Sequence, residues 1–268
     1  MTASPDQHVT QPRTDRRSDA IFFAVAAVLF TASVAMMVYF CRTMSGGMAM
    51  PGGWTMSMMW MRMPGQTWAQ AAAMFMLMWL AMMIAMMLPS SLPMIFRYHR
   101  RSHGQIWITS LMIAGYFFVW MLVGAIAYLL GIPFALAAMR SEALSRSVPA
   151  LIGVAVIAGG CLQFIPLTMR GLTHCRGPLS CAFSQTRANL GSAWRCGIDC
   201  GICCAQCCLG PTLILIALGM MNPIVMVAVA GIIAVEKLLP RPKEMFRLIG
   251  ILAIISGIAI VAWPALRP

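Results

Sequence analysis

Apolar residues in this chain fall into long unbroken runs, at about 20–40, 70–96, 106–131, 148–167, 198–221, 223–239 and 247–264. Each approaches the roughly 20 residues that a helix needs to cross about 30 Å of hydrocarbon. The pattern therefore predicts an all-α, polytopic transmembrane helix bundle of about seven spans. Six spans result if Asn222-Pro223 lies inside a single kinked helix over about 209–235 instead of forming a tight turn. Residues 1–19 read as a disordered polar tail and 20–264 as one membrane domain. The first run follows the basic PRTDRRSD and is too long for the apolar core of a signal peptide, so it reads as a span.

Composition agrees with the pattern and removes other classes. Sixty per cent hydrophobic residues, ten per cent charged and a mean hydropathy of +0.82 exclude a soluble domain of this length. The net charge of +12 is scattered in short clusters between the runs. That distribution fits anionic lipid headgroups, so the bilayer is the expected partner and nucleic acid is not. Ten cysteines, most of them in one segment, do not make a secreted disulfide scaffold. Basic residues also set orientation. With the N-terminus inside, fourteen of the 19 Lys and Arg are cytoplasmic and five external. The six-span alternative gives eleven against eight, so the hairpin at Asn222-Pro223 and an external C-terminus are favoured.

This topology sorts sulfur by compartment. The external segment 41–68 contains MSGGMAMPGGWTMSMMWMRMP, with Met48, Met50, Met56, Met58, Met61 and Met63 among its methionines. A thioether needs no deprotonation and forms no disulfide, which makes it a practical soft ligand for Cu(I) or Ag(I) outside a cell. The plainer alternative is a loop lying on the membrane surface. Span two continues the theme, with Met74, Met78, Met82 and Met86 along one helical row and Met76, Met83, Met87 and Met94 along another. Methionine also fills gaps in apolar cores; Met82 and Met86 are the candidate ligands of this span. Pro89 and Pro93 are expected to kink its inner end, with Ser90 and Ser91 satisfying the released carbonyls.

On the inner side the ligands become thiols. The segment 168–196 brings His174, Cys175 and Cys181, and then WRCGIDCGICCAQCCLGP places Cys196, Cys200, Cys203, Cys204, Cys207 and Cys208 at helical spacing. On a helix they occupy an arc of about 140°, one continuous ribbon of sulfur. Leu209 to Met221 is too short to span, so the helix is expected to begin near Ile198 and to immerse the later cysteines. Small residues that let helices pack are the structural alternative for any one cysteine, but not readily for six on one face. Pro211 lies on the same face. Asp199 borders it, as a helix-start carboxylate or as an acceptor of displaced protons. Lys237 reads as snorkelling and Glu236 as a buried partner.

In this order the motifs resemble a known family. WLAMMIAMMLPS, QFIPL, HCRGPL, GIDCGICC and the Glu236-Lys237 pair are similar to those of the bacterial integral membrane proteins with predicted metal binding called domain of unknown function 2182, over about residues 20–264. The resemblance implies a multi-pass inner-membrane protein that handles metal, most plausibly copper, in some relatives supplying it to a copper enzyme. It narrows the thiol site to Cys200, Cys203 and Cys204. Ile202 and Ala205 flank the cysteine pair where the family tends to have Gly and Trp, Gly171 stands in place of a further Cys, and Cys196 in place of a common His. Cys207 and Cys208 are additions, and the richer thiol set favours a soft ion.

The expected function is therefore a non-enzymatic copper chaperone or passive transporter. Cu(I) would pass between the external methionines and the inner thiols, with a copper-dependent enzyme or a periplasmic metal carrier as partner. No Walker loop is present to power a pump. Two alternatives stay open. One is a membrane thiol oxidoreductase using the C-x-x-C pairs Cys200/Cys203 and Cys204/Cys207. The other is a mercury or silver resistance carrier, and Zn is a further possible ion.

Overall fold

The structure, a computed structural model, describes residues 13–43, 47–62, 65–102, 104–166, 168, 190–238 and 242–262. These form seven α-helices: α1 (Arg13–Thr43), α2 (Trp68–Arg101), α3 (Ile106–Arg140), α4 (Glu142–Leu162), α5 (Leu190–Leu218), α6 (Pro223–Leu238) and α7 (Pro242–Ala262). Six are long and apolar enough to cross a membrane. The sixteen residues of α6 reach only about 24 Å at 1.5 Å per residue. Side chains such as Leu129, Leu130, Ile224 and Val227 stand largely exposed on the outside. An apolar exterior of this kind is stable against lipid and not against water.

The chain separates α5 from α6 by a turn and not by a kink. Gly219 has a φ of 107°, a left-handed conformation that suits glycine at a helix end, and its N–H donates to the Leu215 carbonyl at 3.1 Å. Asn222 Oδ1 then accepts from the N–H of Ile224 at 3.0 Å and of Val225 at 3.4 Å, capping α6 ahead of Pro223. The hairpin reading of this segment holds. Most helices run past the apolar runs that signalled them, α3 as far as Arg140, and α1 and α5 begin furthest ahead of theirs. α1 starts at Arg13, and α5 starts at Leu190, eight residues before the expected Ile198. Polar helical turns carry no hydropathy signal, so the run length alone did not reveal them.

α3 packs most closely on α5, and α4 on α7. The α3–α5 contact depends on glycine. A Cβ on Gly197 would run into the Met112 carbonyl, and one on Gly201 would crowd Tyr116 and Val119. The Gly197-xxx-Gly201 spacing thus lets two backbones touch, as in membrane helix pairs where dispersion contacts replace the hydrophobic effect. Behind this contact, Trp79, Trp120, Tyr116, Phe75, Met78, Met82, Met83 and Met87 are fully buried. Trp79 Nε1 donates to the Trp120 carbonyl at 2.8 Å, so the buried indole of α2 is tied to α3. α1 leans on α2, where Phe22 stacks on the His99 ring at 5.0 Å.

Ser90 and Ser91 do less than expected. Both hydroxyls donate to the Met87 carbonyl and not to the Ala85 and Pro89 carbonyls, which Pro89 and Pro93 deprive of a donor. The Met-rich segment is also more ordered than a surface loop. β1 (Met48–Met50) pairs antiparallel with β2 (Trp54–Met56), Met48 opposite Met56 and Met50 opposite Trp54. The Pro51-Gly52 turn between them is closed by Gly53 N–H to the Met50 carbonyl at 3.2 Å. Trp54 Nε1 donates to the Ser145 carbonyl at 2.9 Å, and Ser145 Oγ to the Pro51 carbonyl at 2.8 Å. The hairpin is thereby fastened to the start of α4.

The α3–α5 contact makes a direct prediction. Gly197→Val should lower stability by about 1–3 kcal/mol or prevent folding, whereas Gly231→Ala, with nothing within 4 Å of the added carbon, should not. Thermal unfolding and size-exclusion profiles in detergent compare the two.

Candidate metal centre

The hairpin of α5 and α6 sets the register of the site. Cys204 lies fourteen residues before Leu218, and Lys237 fourteen after Pro223. At 1.5 Å per residue both are about 21 Å from the turn, so the two side chains arrive at one level. Lys237 Nζ donates to Cys204 Sγ at 2.9 Å. It also lies 3.5 Å from Ser90 Oγ and 3.9 Å from Met87 Sδ. From α3, Tyr116 Oη donates to the same sulfur at 2.9 Å. An ammonium and a phenol directed at one sulfur form the donor pair that an anionic ligand atom takes.

Two further thiols converge on Cys204. The Sγ atoms of Cys204, Cys207 and Cys208 all lie within 4.8 Å of one another, and all three residues are buried. Cys207 Sγ is 3.6 Å from Cys208 Sγ and donates to the Cys204 carbonyl at 3.2 Å. Among the described residues this is the group of His, Cys, Asp and Glu side chains close enough to hold one metal ion. Three soft sulfurs a few ångströms apart, screened from water, can take a soft ion in low coordination.

The expected ligands divide accordingly. Cys204, Cys207 and Cys208 come together, although the last two had looked like additions to the core. Cys200 is one turn away in the wall of the adjoining cavity, and Cys203 is half-buried beside it. Cys196 is buried and held in a disulfide, whereas the seven other described cysteines are not. In that form its sulfur offers no thiolate to a metal. His174, Cys175 and Met63 lie outside the described residues. Met82 and Met86 are buried in the same core as the thiols, but Met87 is the methionine that meets Lys237. In the hairpin, Met56 is buried while Met50 and Met61 pack around it with Ala135 and Ala138; Met58 is half-buried and Met48 exposed.

Lys237 overturns its snorkelling assignment, because its ammonium turns inward and only 9% of the residue is exposed. Its neighbour Glu236 points elsewhere and accepts from Gln163 Nε2 at 3.0 Å. Residues adjacent on a helix face different partners. The signal that could have found Lys237 is the hairpin, which sets it level with Cys204. Tyr116 had none, because an aromatic in an apolar run gives no spacing signal.

A membrane helix bundle with a buried cluster of three thiols defines the class: an integral membrane protein with a potential soft-metal site. The chain belongs more narrowly to a family of copper chaperones. The family model described as "PpoB2: Copper chaperone" matches residues 76–260, from within α2 through most of α7. The match contains every residue of the thiol cluster and excludes the Met hairpin. Searches of curated proteins and of solved structures return no match.

Accessibility should separate the thiols. In reduced, metal-free protein, a small maleimide should label half-buried Cys203 at least about tenfold faster than buried Cys207 and Cys208, because reaction needs an exposed thiolate. Peptide mass spectrometry of a time course reads the order.

Proposed function

We propose that this protein is a copper chaperone or passive carrier that holds Cu(I) at Cys204, Cys207 and Cys208 in a bacterial inner membrane. The convergence of three thiols with the Lys237 ammonium carries the reading. Cu(I) bound by two thiolates has a net charge of −1, and a lone charge in an apolar bundle is costly. Lys237, 2.9 Å from Cys204 Sγ, offsets it. Two thiolates on Hg(II) or Zn(II) are already neutral, so the lysine favours Cu(I) on two of the three sulfurs over a divalent ion on two; a divalent ion matches the same charge only with all three thiols deprotonated. Ag(I) shares the charge and coordination of Cu(I), so it is expected to bind as a competitor.

With the N-terminus in the cytoplasm, the Met48–Met56 hairpin and Met58, Met61 and Met63 lie outside and collect or hand over copper. The buried methionines of α2, Met82 and Met86 among them, connect that side to the thiols. Exchange between sulfur sites makes one Cu–S bond as it breaks another, so no nucleotide is needed. An external copper-dependent enzyme or metal carrier is the partner that this arrangement serves. The family match stops short of the hairpin, so the methionines are the part of the route that rests on ligand chemistry alone.

A thiol oxidoreductase is the second reading, favoured by the Cys196 disulfide beside the Cys200/Cys203 pair. One experiment separates the two. Protein purified in detergent under reducing conditions and loaded with Cu(I) should retain the metal. A Cys204→Ser/Cys207→Ser/Cys208→Ser variant should lose it, and Cys196→Ser should not. Lys237→Met should weaken binding about tenfold or more, the loss expected of a charge-assisted hydrogen bond. Equal copper in wild type and triple variant would contradict the proposal. Disulfide cycling with a quinone, abolished by Cys196→Ser, would establish the alternative.

A further inference from the structure

A cavity of about 510 Å³ adjoins the thiol cluster. Its wall includes Met94 and Arg97 of α2, Tyr116 of α3, Cys200 and Cys204 of α5, and Lys237 of α6. It lies beside the end of α6, which stops one residue after Lys237, whereas α5 extends fourteen residues beyond Cys204 toward Leu190. Arg97 is exposed and Lys237 buried, so one cation marks the outer end of the cavity and one its floor. Cys200 and Cys204, one helical turn apart, place two sulfurs along the way.

Two properties of this space are wrong for a bare copper ion. A single water occupies only about 30 Å³, and cavities of several hundred cubic ångströms are the size that accommodates small organic ligands. The charged groups that line it, Arg97 and Lys237, are both positive, with no Asp or Glu among the described lining residues. Asp199 stands exposed on α5 and is not part of the wall. A basic cleft raises the local concentration of anions and repels cations.

We infer that this cavity receives or releases copper as an anionic Cu(I) complex of a small thiol, with Arg97 steering the complex to Cys200 and Cys204. The inference rests on the copper reading above and names the form in which the metal arrives. For each Cu–S bond made to a cysteine, one Cu–S bond to the donor breaks, and the cysteine's proton leaves on the departing thiol. Copper stays Cu(I) throughout, so neither oxidant nor reductant is consumed. The second sulfur, Cys204, is already part of the three-thiol cluster, and the ion passes into it by the same exchange.

The test compares loading of the reduced full-length chain in neutral detergent from two donors, Cu(I)–glutathione, an anion, and tetrakis(acetonitrile)copper(I), a cation. Copper bound at the end of loading reports the thiol cluster, and the initial rate, followed by thiolate-to-copper absorbance, reports the cavity. Arg97→Gln should slow loading from the glutathione complex about threefold, in keeping with the loss of one steering charge, without slowing loading from the acetonitrile complex. Arg97→Lys should restore the rate, and raising the salt to about 0.5 M should erase the difference. Equal rates for wild type and Arg97→Gln with the anionic donor would overturn the inference, as would equal slowing with both donors, even if final copper content remained that of wild type. Absence of copper from wild type after loading with either donor would overturn the copper reading itself.

Discussion

An ammonium inside an apolar helix bundle needs a partner, and here the partner is sulfur. Lys237 Nζ meets Cys204 Sγ at 2.9 Å, at the inner wall of the cavity that Arg97 borders. Buried charge of this kind is destabilising unless matched. The contact therefore restricts what else the cluster can hold: an anionic sulfur on its own, or a metal–thiolate complex of net charge −1. The second donor, Tyr116 Oη, comes from a third helix. The same sulfur thus ties α3, α5 and α6 together at the point where metal would sit.

The backbone is arranged to make that contact possible. The capped turn at Gly219 and Asn222 sets α5 and α6 in register, so that equal counts of residues bring Cys204 and Lys237 level. Gly197 and Gly201 let α5 approach α3 closely enough for Tyr116 to reach across. Met82, Met83, Met86 and Met87 fill the space behind, where flexible thioethers pack irregular gaps and leave sulfur next to the cluster. A cavity lies beside Lys237. Helix packing and the convergence of the thiols therefore depend on the same few residues.

Much of the fold was legible because lipid-facing helices must be apolar over a fixed length. That constraint placed all seven helices, and Asn222-Pro223 signalled the turn correctly. It could not detect the polar first turns of α5, nor the Met hairpin, whose pairing comes from Pro51-Gly52 and from Trp54 reaching Ser145. The ribbon of cysteines marked the helix and contained all three thiols that converge. Cys204, Cys207 and Cys208 come together, whereas resemblance had weighted Cys200, Cys203 and Cys204. Helical spacing defines a face, and neighbouring helices decide which part of it is enclosed. Tyr116 was invisible in sequence for the same reason: its role comes from a helix crossing and not from a motif.

Copper K-edge X-ray absorption on the Cu(I)-loaded chain examines the ligand set without relying on any variant. A first shell of two or three sulfurs, with no nitrogen or oxygen, is the expected result for an ion held by Cys204, Cys207 and Cys208 with Lys237 as counter-charge. A shell dominated by nitrogen or oxygen would contradict the account, because no described imidazole or carboxylate belongs to that cluster.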